Sequence, residues 1–148
     1  AGRGGMIEAR VELDDIFMYS QRADGLIIAT PTGSTAYSLA VNGPIVHPSI
    51  RALLLVPVAP QTLSHRPIVL PDTGTIGLTI TALGRVETGA SVHFDMQTWS
   101  ECQPGDRIEV RRANHNVRFI HPTGYSYFST LRRKLYWNHM PQPSPESE

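Results

Sequence analysis

Hydrophobic and polar residues alternate along much of this chain, which predicts β-strands. Residues 6–13 and 75–83 each place apolar side chains on one face and polar side chains on the other. The continuous apolar run at 53–58 instead predicts a buried strand. Turn signals such as Asp14-Asp15 separate these runs. The predicted strands are residues 6–13, 16–20, 26–29, 53–58, 67–70, 75–83, 91–96, 107–111 and 117–120.

Two segments follow a helical pattern instead. Residues 35–41 predict a short helix stopped by the turn signal at 42–44, and residues 125–137 predict a longer helix. Because no helices alternate with the strands, we expect an all-β, sandwich-like fold rather than a parallel α/β sheet. One domain over residues 1–137 is expected, followed by a Pro-, Ser- and Glu-rich tail at 138–148 that is predicted to be disordered.

The amino-acid composition limits the functional classes of protein to which this chain can belong. The chain has 148 residues, 41% hydrophobic and 18% charged, as in soluble globular domains. With 13 basic and 13 acidic residues it lacks the positive field that binds nucleic acid, so no nucleic-acid partner is expected. A single cysteine excludes an internal disulfide and fits the cytoplasm, and the six histidines lack the spacing of metal ligands. No apolar run approaches the about 18 residues of a membrane helix.

The loop TPTGST at residues 30–35 is the first candidate binding element. It follows a predicted strand and precedes the short helix, so Ser34 or Thr35 is expected to cap that helix. First-turn amides and Gly33 would then approach a polar or anionic ligand, and Tyr37 would offer a flat face to a nucleobase. No lysine follows the glycine, so this is not a Walker loop. Taken alone, such a loop is more often a capped helix start than a binding site.

Two charged residues precede this loop. Arg22 and Asp24 are two residues apart, and strand periodicity places them on one face, where they could hold one polar ligand together. A structural ion pair between them is the alternative, and the spacing alone leaves both interpretations open.

Four blocks of sequence resemble the C-terminal domain of bacterial NAD kinases. They are DGLIIATPTGSTAYSLAVNGPIVHPS at 24–49, PQTLSHRPIV at 60–69, FDMQ at 94–97 and HPTGYSYFSTLRRKLYW at 121–137. Their order and spacing extend the resemblance from residue 6 to residue 137. The family resembles diacylglycerol and sphingosine kinases in fold, which implies an α/β N-terminal domain and an all-β C-terminal domain.

The resemblance implies a kinase that phosphorylates the adenosine-ribose 2′-hydroxyl of NAD and yields NADP. The donor is ATP, or polyphosphate in some members, together with a divalent metal such as Mg²⁺. Arg22 and Asp24 would face the nicotinamide end, often of a neighbouring subunit's NAD, which implies a homodimer or homotetramer. An arginine at position 22 resembles the NAD-preferring members, and Gln97 would be a further contact. The adenine end would contact Thr35, Ala36 and Tyr37 with Thr32 close by, and Ser38, Leu39 and Ala40 would complete the pocket wall.

One departure from the family pattern limits the prediction. The family's catalytic aspartate lies in a GGDGT motif, and an Asn-Glu or Asn-Asp pair makes a second contact; this sequence contains neither. We therefore expect no catalytic residue in this chain, which would be inactive without an N-terminal half. The alternatives are the matching domain of a lipid kinase and a non-catalytic ligand-binding module.

Overall fold

The computed structural model describes residues 6–84, 89–95 and 97–137. The chain divides into two compact units, residues 1–113 and 114–148. The single domain expected over residues 1–137 stays a prediction, and the tail at 138–148 lies outside the described residues.

The first unit is built from antiparallel strands. The strands are β1 (Ile7–Leu13), β2 (Ile16–Ala23), β3 (Gly25–Ala29), β4 (Ala52–Val58), β5 (Ile68–Pro71), β6 (Ile76–Leu83), β7 (Ala90–Phe94), β8 (Thr98–Cys102) and β9 (Arg107–Val110). Strands β2-β1-β6-β9 form one sheet, β3-β4-β5 a second, and β7-β8 a two-stranded hairpin. A short 3₁₀ turn (Thr32–Thr35) and helix α1 (Tyr37–Ala40) connect β3 to β4.

The two larger sheets pack face to face around one apolar core. Leu55 of β4 lies in this core with Val11 of β1 and with Ile76 and Leu78 of β6. The preceding residue of β4, Leu54, points to the opposite face, where a separate cluster covers it. Strand β4 is therefore buried on both faces, which explains its continuous apolar sequence. The all-β, sandwich-like prediction is confirmed.

The β7-β8 hairpin packs on the part of the four-stranded sheet that carries Ala9 and Ile80. Cys102 of β8 is buried there against Ala9 and Ile80, and Ala90 and Val92 of β7 add to the cluster. A two-stranded ribbon is marginal on its own in water, so these contacts stabilise it. Burial, followed by the charge of Asp106, raises the pKa of the Cys102 thiol.

The second unit contains helix α2 (Tyr127–Leu135). Ser126 caps it, because its side-chain oxygen accepts a hydrogen bond from the Ser129 amide at 3.3 Å. The helix ends at Tyr136, which adopts the left-handed conformation with φ 54°. The helix predicted at 125–137 is confirmed with shorter ends. Neither of the two helices that the structure describes is long and apolar enough to cross a membrane.

Two strand predictions differ from the structure. Residues 117–120 form no strand, although their sequence alternates as a strand would, and Val117 and Ile120 are exposed. A strand needs a neighbour to take up its backbone hydrogen bonds, and none pairs with these residues in the described parts of the chain. Conversely β8 was not predicted. It pairs with β7 and carries polar residues at most positions, so its hydrophobic signal is weak.

Candidate functional site

The TPTGST loop and helix α1 lie over the outer face of the β3-β4-β5 sheet. Leu54 and Val56 of β4 are fully buried beneath this segment, together with Val46. Ala29 of β3 and Val41 at the end of α1 pack against the same cluster. The loop is thus seated on a strand that also belongs to the central core, which gives the site a rigid base.

Two buried serines hold the segment in place. Ser34 is fully buried, and its hydroxyl donates to the Pro31 carbonyl at 2.5 Å while accepting from the Val46 amide at 3.0 Å. Ser38 is also buried, and its hydroxyl donates to the Ser34 carbonyl at 3.1 Å. Ser38, predicted as part of the pocket wall, therefore faces the interior and supports the residues around it.

The helical turn begins earlier than the sequence predicted. Neither Ser34 nor Thr35 caps it, because both lie inside the 3₁₀ turn at Thr32–Thr35. Pro31 already has helical backbone angles, with φ −54° and ψ −41°. Proline fixes φ near the helical value and has no amide to satisfy, so it favours a helix start at this point.

Several amides of the turn are engaged within the loop itself. The Gly33 amide donates to Thr30 Oγ1 at 3.1 Å, and the Ser34 amide donates to the Pro31 carbonyl at 3.1 Å. The Ala36 amide donates to the Gly33 carbonyl at 3.0 Å. These three groups are therefore not offered to a ligand, contrary to the prediction from the helix start.

The surface of the segment is formed by its other side chains. Tyr37 is 60% exposed, so its ring presents a face on which a planar group can stack. Thr35 and Leu39 are half-buried, at the boundary between the surface and the cluster below. The predicted site residues that are exposed here are Thr32, Ala36, Tyr37 and Ala40.

A tight stop follows α1, as predicted. Asn42 adopts the left-handed conformation with φ 65°, and the Gly43 amide donates to the Ser38 carbonyl at 2.7 Å. This is the hydrogen-bond pattern that commonly ends helices. A Cβ at Gly43 would lie 2.6 Å from the Ser38 carbonyl oxygen, so only glycine allows this close approach.

Arg22 and Asp24 lie on either side of the point where the chain changes sheets. Arg22 belongs to β2, and its Nε lies 3.8 Å from Oε2 of Glu8, its cross-strand neighbour. Asp24 lies outside β2, at the bend before β3, and its amide donates to the Val58 carbonyl at 3.0 Å. Strand periodicity therefore does not apply to this pair. Both side chains are exposed, and the ion pair of Arg22 is with Glu8.

Gln97 lies on a different part of the unit. It is exposed in the turn of the β7-β8 hairpin, where its amide donates to the Phe94 carbonyl at 3.0 Å. The strands of that hairpin pack on Ala9 and Ile80, whereas Ala29 and Val41, which flank the TPTGST loop and α1, pack on the cluster of Leu54.

The densest group of charges lies on the four-stranded sheet. Arg107 of β9 hydrogen-bonds to Glu12, and it also contacts Asp15 at 2.7 Å and Glu109 at 3.3 Å. Arg10 adds a 2.8 Å contact to Glu12. The Arg107 hydrogen bond, followed by that of Arg10, lowers the pKa of the Glu12 carboxyl. In the parts of the chain that the structure describes, no three His, Cys, Asp or Glu side chains converge as metal ligands.

One buried polar residue beside the candidate site was not singled out by the sequence. Gln21 lies on β2 directly before Arg22 and faces the core. The predicted strand ends at residue 20, whereas β2 continues to Ala23, so position 21 falls outside the predicted alternation. Nearby, burial raises the pKa of Tyr19 to about 12.

Comparison with known proteins gives consistent matches. The family model for the ATP-NAD kinase C-terminal domain matches residues 2–122. The chain is 74% identical over its 148 residues to an NAD kinase of Bordetella parapertussis (strain 12822) and covers 50% of that protein. It is 53% identical over the same 148 residues to an NAD kinase of Burkholderia thailandensis, of which it covers 48%. The chain thus spans about half the length of the curated relatives it matches.

Solved structures agree with these matches. A crystal structure of yeast NADH kinase complexed with NADH superposes with a TM-score of 0.82 and 26% identity, over 97% of this chain and 44% of that one. A crystal structure of an NAD kinase from Archaeoglobus fulgidus in complex with ATP superposes with a TM-score of 0.66 and 26% identity, over 76% of this chain and 42% of that one.

Proposed function

The chain belongs to the ATP-NAD kinase C-terminal domain family, and we propose that it is the NAD-binding part of an NAD kinase. The whole enzyme would transfer a phosphoryl group from ATP, or from polyphosphate, to the adenosine-ribose 2′-hydroxyl of NAD and so produce NADP. The observation that carries this proposal is the 74% identity to an NAD kinase along the entire chain. Because the chain covers 50% of that relative, the activity is proposed for the whole protein.

The adenine end of NAD is proposed to bind on the surface of the TPTGST segment. Tyr37 supplies an exposed ring, and Thr32 and Ala36 lie exposed near it in sequence. Thr35, Leu39 and Ala40 complete this surface, while buried Ser38 holds it from below. Support comes from the seating of the segment on Leu54 and from the similarity to a kinase crystallised with NADH. Stacking on an aromatic ring suits a nucleobase because every base has a π-face.

The nicotinamide end is proposed to meet Asp24 and Arg22, with Gln97 as a further contact. Asp24 is exposed at a bend whose backbone is held by Val58, so its carboxylate has a defined position. Hydroxyls of a ribose are suitable donors to such a carboxylate. Arg22 lies two residues before Asp24 and is also exposed.

Proton removal from the reacting 2′-hydroxyl is proposed to depend on the other half of the enzyme. That step needs a carboxylate or another base within hydrogen-bond reach of the hydroxyl, and no residue of this chain is assigned to it. Mg²⁺ would neutralise charge on the phosphates of ATP. The described residues offer no cluster of ligands for such an ion, so we propose that it is held with ATP in the other half.

The partners and location follow from the same proposal. We propose that the whole protein is cytoplasmic and forms a homodimer or homotetramer, with NAD shared between subunits at Asp24. Exposed Val117, Phe119 and Ile120 in the second unit are proposed to contact the remaining half of the enzyme. Exposed apolar side chains grouped in this way commonly mark an interface.

The test is a kinase assay on the full-length protein. Wild-type enzyme is expected to form NADP from NAD and ATP, and Asp24→Ala is expected to raise the KM for NAD by about tenfold, the effect of one lost charge-assisted hydrogen bond. The KM for ATP should not change. Glu101→Ala removes an exposed carboxylate of β8 and serves as the matched control.

Two results would count against the proposal. A folded full-length protein that forms no NADP from either donor would reject the kinase function. An unaltered KM for NAD in Asp24→Ala, with an active wild type, would reject only the assignment of Asp24.

A further inference from the structure

Gln21 places a polar side chain inside the sandwich. It lies on β2 opposite Ala9, and it is 1% exposed. Neither Nε2 nor Oε1 has a hydrogen-bond partner among the residues that the structure describes. A buried amide in this state destabilises the fold, because it has lost its hydrogen bonds to water and gained none. An apolar side chain of similar size would avoid that penalty, so the glutamine calls for a role beyond packing.

A second polar atom in the same situation lies across from β2. His65 Nδ1 is buried and likewise finds no partner within the described ranges. The His65 ring lies 5.2 Å from the Tyr19 ring, and Tyr19 is on the same face of β2 as Gln21, two residues earlier. Tyr19 therefore brings His65 to the face of β2 that also carries Gln21. Residues 59–67, which contain His65, are here called the 59–67 segment.

The 59–67 segment is attached to the bend that carries the proposed nicotinamide contacts. The Gln61 amide donates to the Arg22 carbonyl at 2.9 Å, and the Asp24 amide donates to the Val58 carbonyl at 3.0 Å. Gln21 directly precedes Arg22 in β2. A change in the position of the segment is thus passed on to the backbone of Arg22 through Gln61, and to that of Asp24 through Val58, which directly precedes the segment.

We propose that Gln21 is a positioning residue of the proposed NAD site. When NAD is bound, its amide hydrogen-bonds to His65 and to backbone groups of the 59–67 segment, and this fixes the bend at Arg22 and Asp24. A glutamine amide both donates and accepts, so it can satisfy an imidazole nitrogen and a peptide group together. Residues 61–64 are exposed and outside the strands, so the segment is the element free to adjust. This inference rests on the proposed function.

The experiment compares three variants of the full-length enzyme. Gln21→Met replaces the amide with an apolar side chain of similar length, and His65→Phe keeps a ring beside Tyr19 but removes Nδ1. Gln61→Met is the matched control, because its side chain is exposed and only its backbone amide contacts Arg22. KM and kcat are measured for NAD and for ATP, and Tm is measured without ligand.

Gln21→Met is expected to raise the KM for NAD by about tenfold, as for one lost hydrogen bond, with kcat and the KM for ATP within about twofold. Its Tm without NAD should equal or exceed that of the wild type. His65→Phe should act in the same direction, and the double variant should be no worse than the more impaired single variant. Gln61→Met should leave all values unchanged.

The inference is overturned if the KM for NAD stays within about twofold in Gln21→Met, or if the effects of the two variants multiply. It is also overturned if Gln21→Met lowers Tm without NAD, since the amide would then have partners in the free protein. Should Gln21→Met not fold, an unchanged KM for NAD in His65→Phe overturns it equally. A wild-type enzyme that forms no NADP would instead reject the proposed function.

Discussion

Leu54 and Leu55 offer a direct test of how the candidate site is supported. They are consecutive residues of β4, and both are fully buried. Leu55 belongs to the central core between the two sheets, whereas Leu54 belongs to the cluster with Val46 beneath the TPTGST segment. Substituting each by alanine removes the same atoms from opposite faces of one strand, so the two variants control for each other.

The expected loss of stability differs between the two variants because the surroundings of the two leucines differ. A buried Leu→Ala change costs about 2–5 kcal/mol, and the cost depends on how far the neighbours can close the cavity. Leu55 shares its cluster with five other buried residues from both sheets, so we expect about 3–5 kcal/mol. Leu54 is covered partly by a connecting segment that can settle inwards, so we expect about 2–3 kcal/mol.

The assay separates stability from binding. Thermal unfolding of the full-length protein should show a larger fall in Tm for Leu55→Ala. At a temperature where both variants stay folded, Leu54→Ala should raise the KM for NAD, because the loop has lost part of its base, and Leu55→Ala should not. Equal changes of the KM in both variants would refute the idea that the outer face of β4 supports the site.

Two further predictions concern stability. Gly43→Ala should lower Tm by several degrees, because its Cβ would lie 2.6 Å from the Ser38 carbonyl oxygen. Gly25→Ala is the control and should lower Tm less, because its Cβ would lie 3.8 Å from its nearest neighbour. A larger fall in Tm for Gly25→Ala in calorimetry would contradict this prediction. Arg107→Met should lower Tm more at pH 7 than at pH 3. The hydrogen bond from Arg107 lowers the pKa of Glu12 in the folded protein. The ionised Glu12 carboxylate therefore stabilises the fold above pH 4.5, and this stabilisation is lost as pH falls through the lowered pKa. An equal loss of Tm at both pH values would contradict it.

The sequence predicted most strands because burial and periodicity coincide in them. The apolar run at 53–58 predicts a buried strand, and β4 is in fact covered on both faces. Residues 117–120 form no strand, since a sequence pattern reports what a strand requires but not whether a neighbouring strand exists. Strand β8 was missed for the opposite reason: it has a neighbour in β7 but little apolar signal.

The sequence predicts a candidate site at the TPTGST segment but not which of its side chains face outwards. Ser34 is predicted as a helix cap and Ser38 as part of the pocket wall, yet both are turned inwards and bonded to backbone groups. Which hydroxyl faces outwards depends on where the helical turn begins, and Pro31 moved that point by several residues. Likewise, whether Asp24 continues β2 depends on the crossing between sheets, which is a property of the whole sandwich.

That crossing has a mechanical consequence. Strand β2 of the four-stranded sheet and strand β3 of the three-stranded sheet are joined through one residue, Asp24. A sliding motion of β3 relative to β2 would therefore act on the backbone of this residue. A ligand gripped at Asp24 would resist such shear, so occupancy of the site and the mutual alignment of the two sheets should be mechanically coupled. The bend at Asp24 would then hold β3 in place relative to β2 and also contact the ligand.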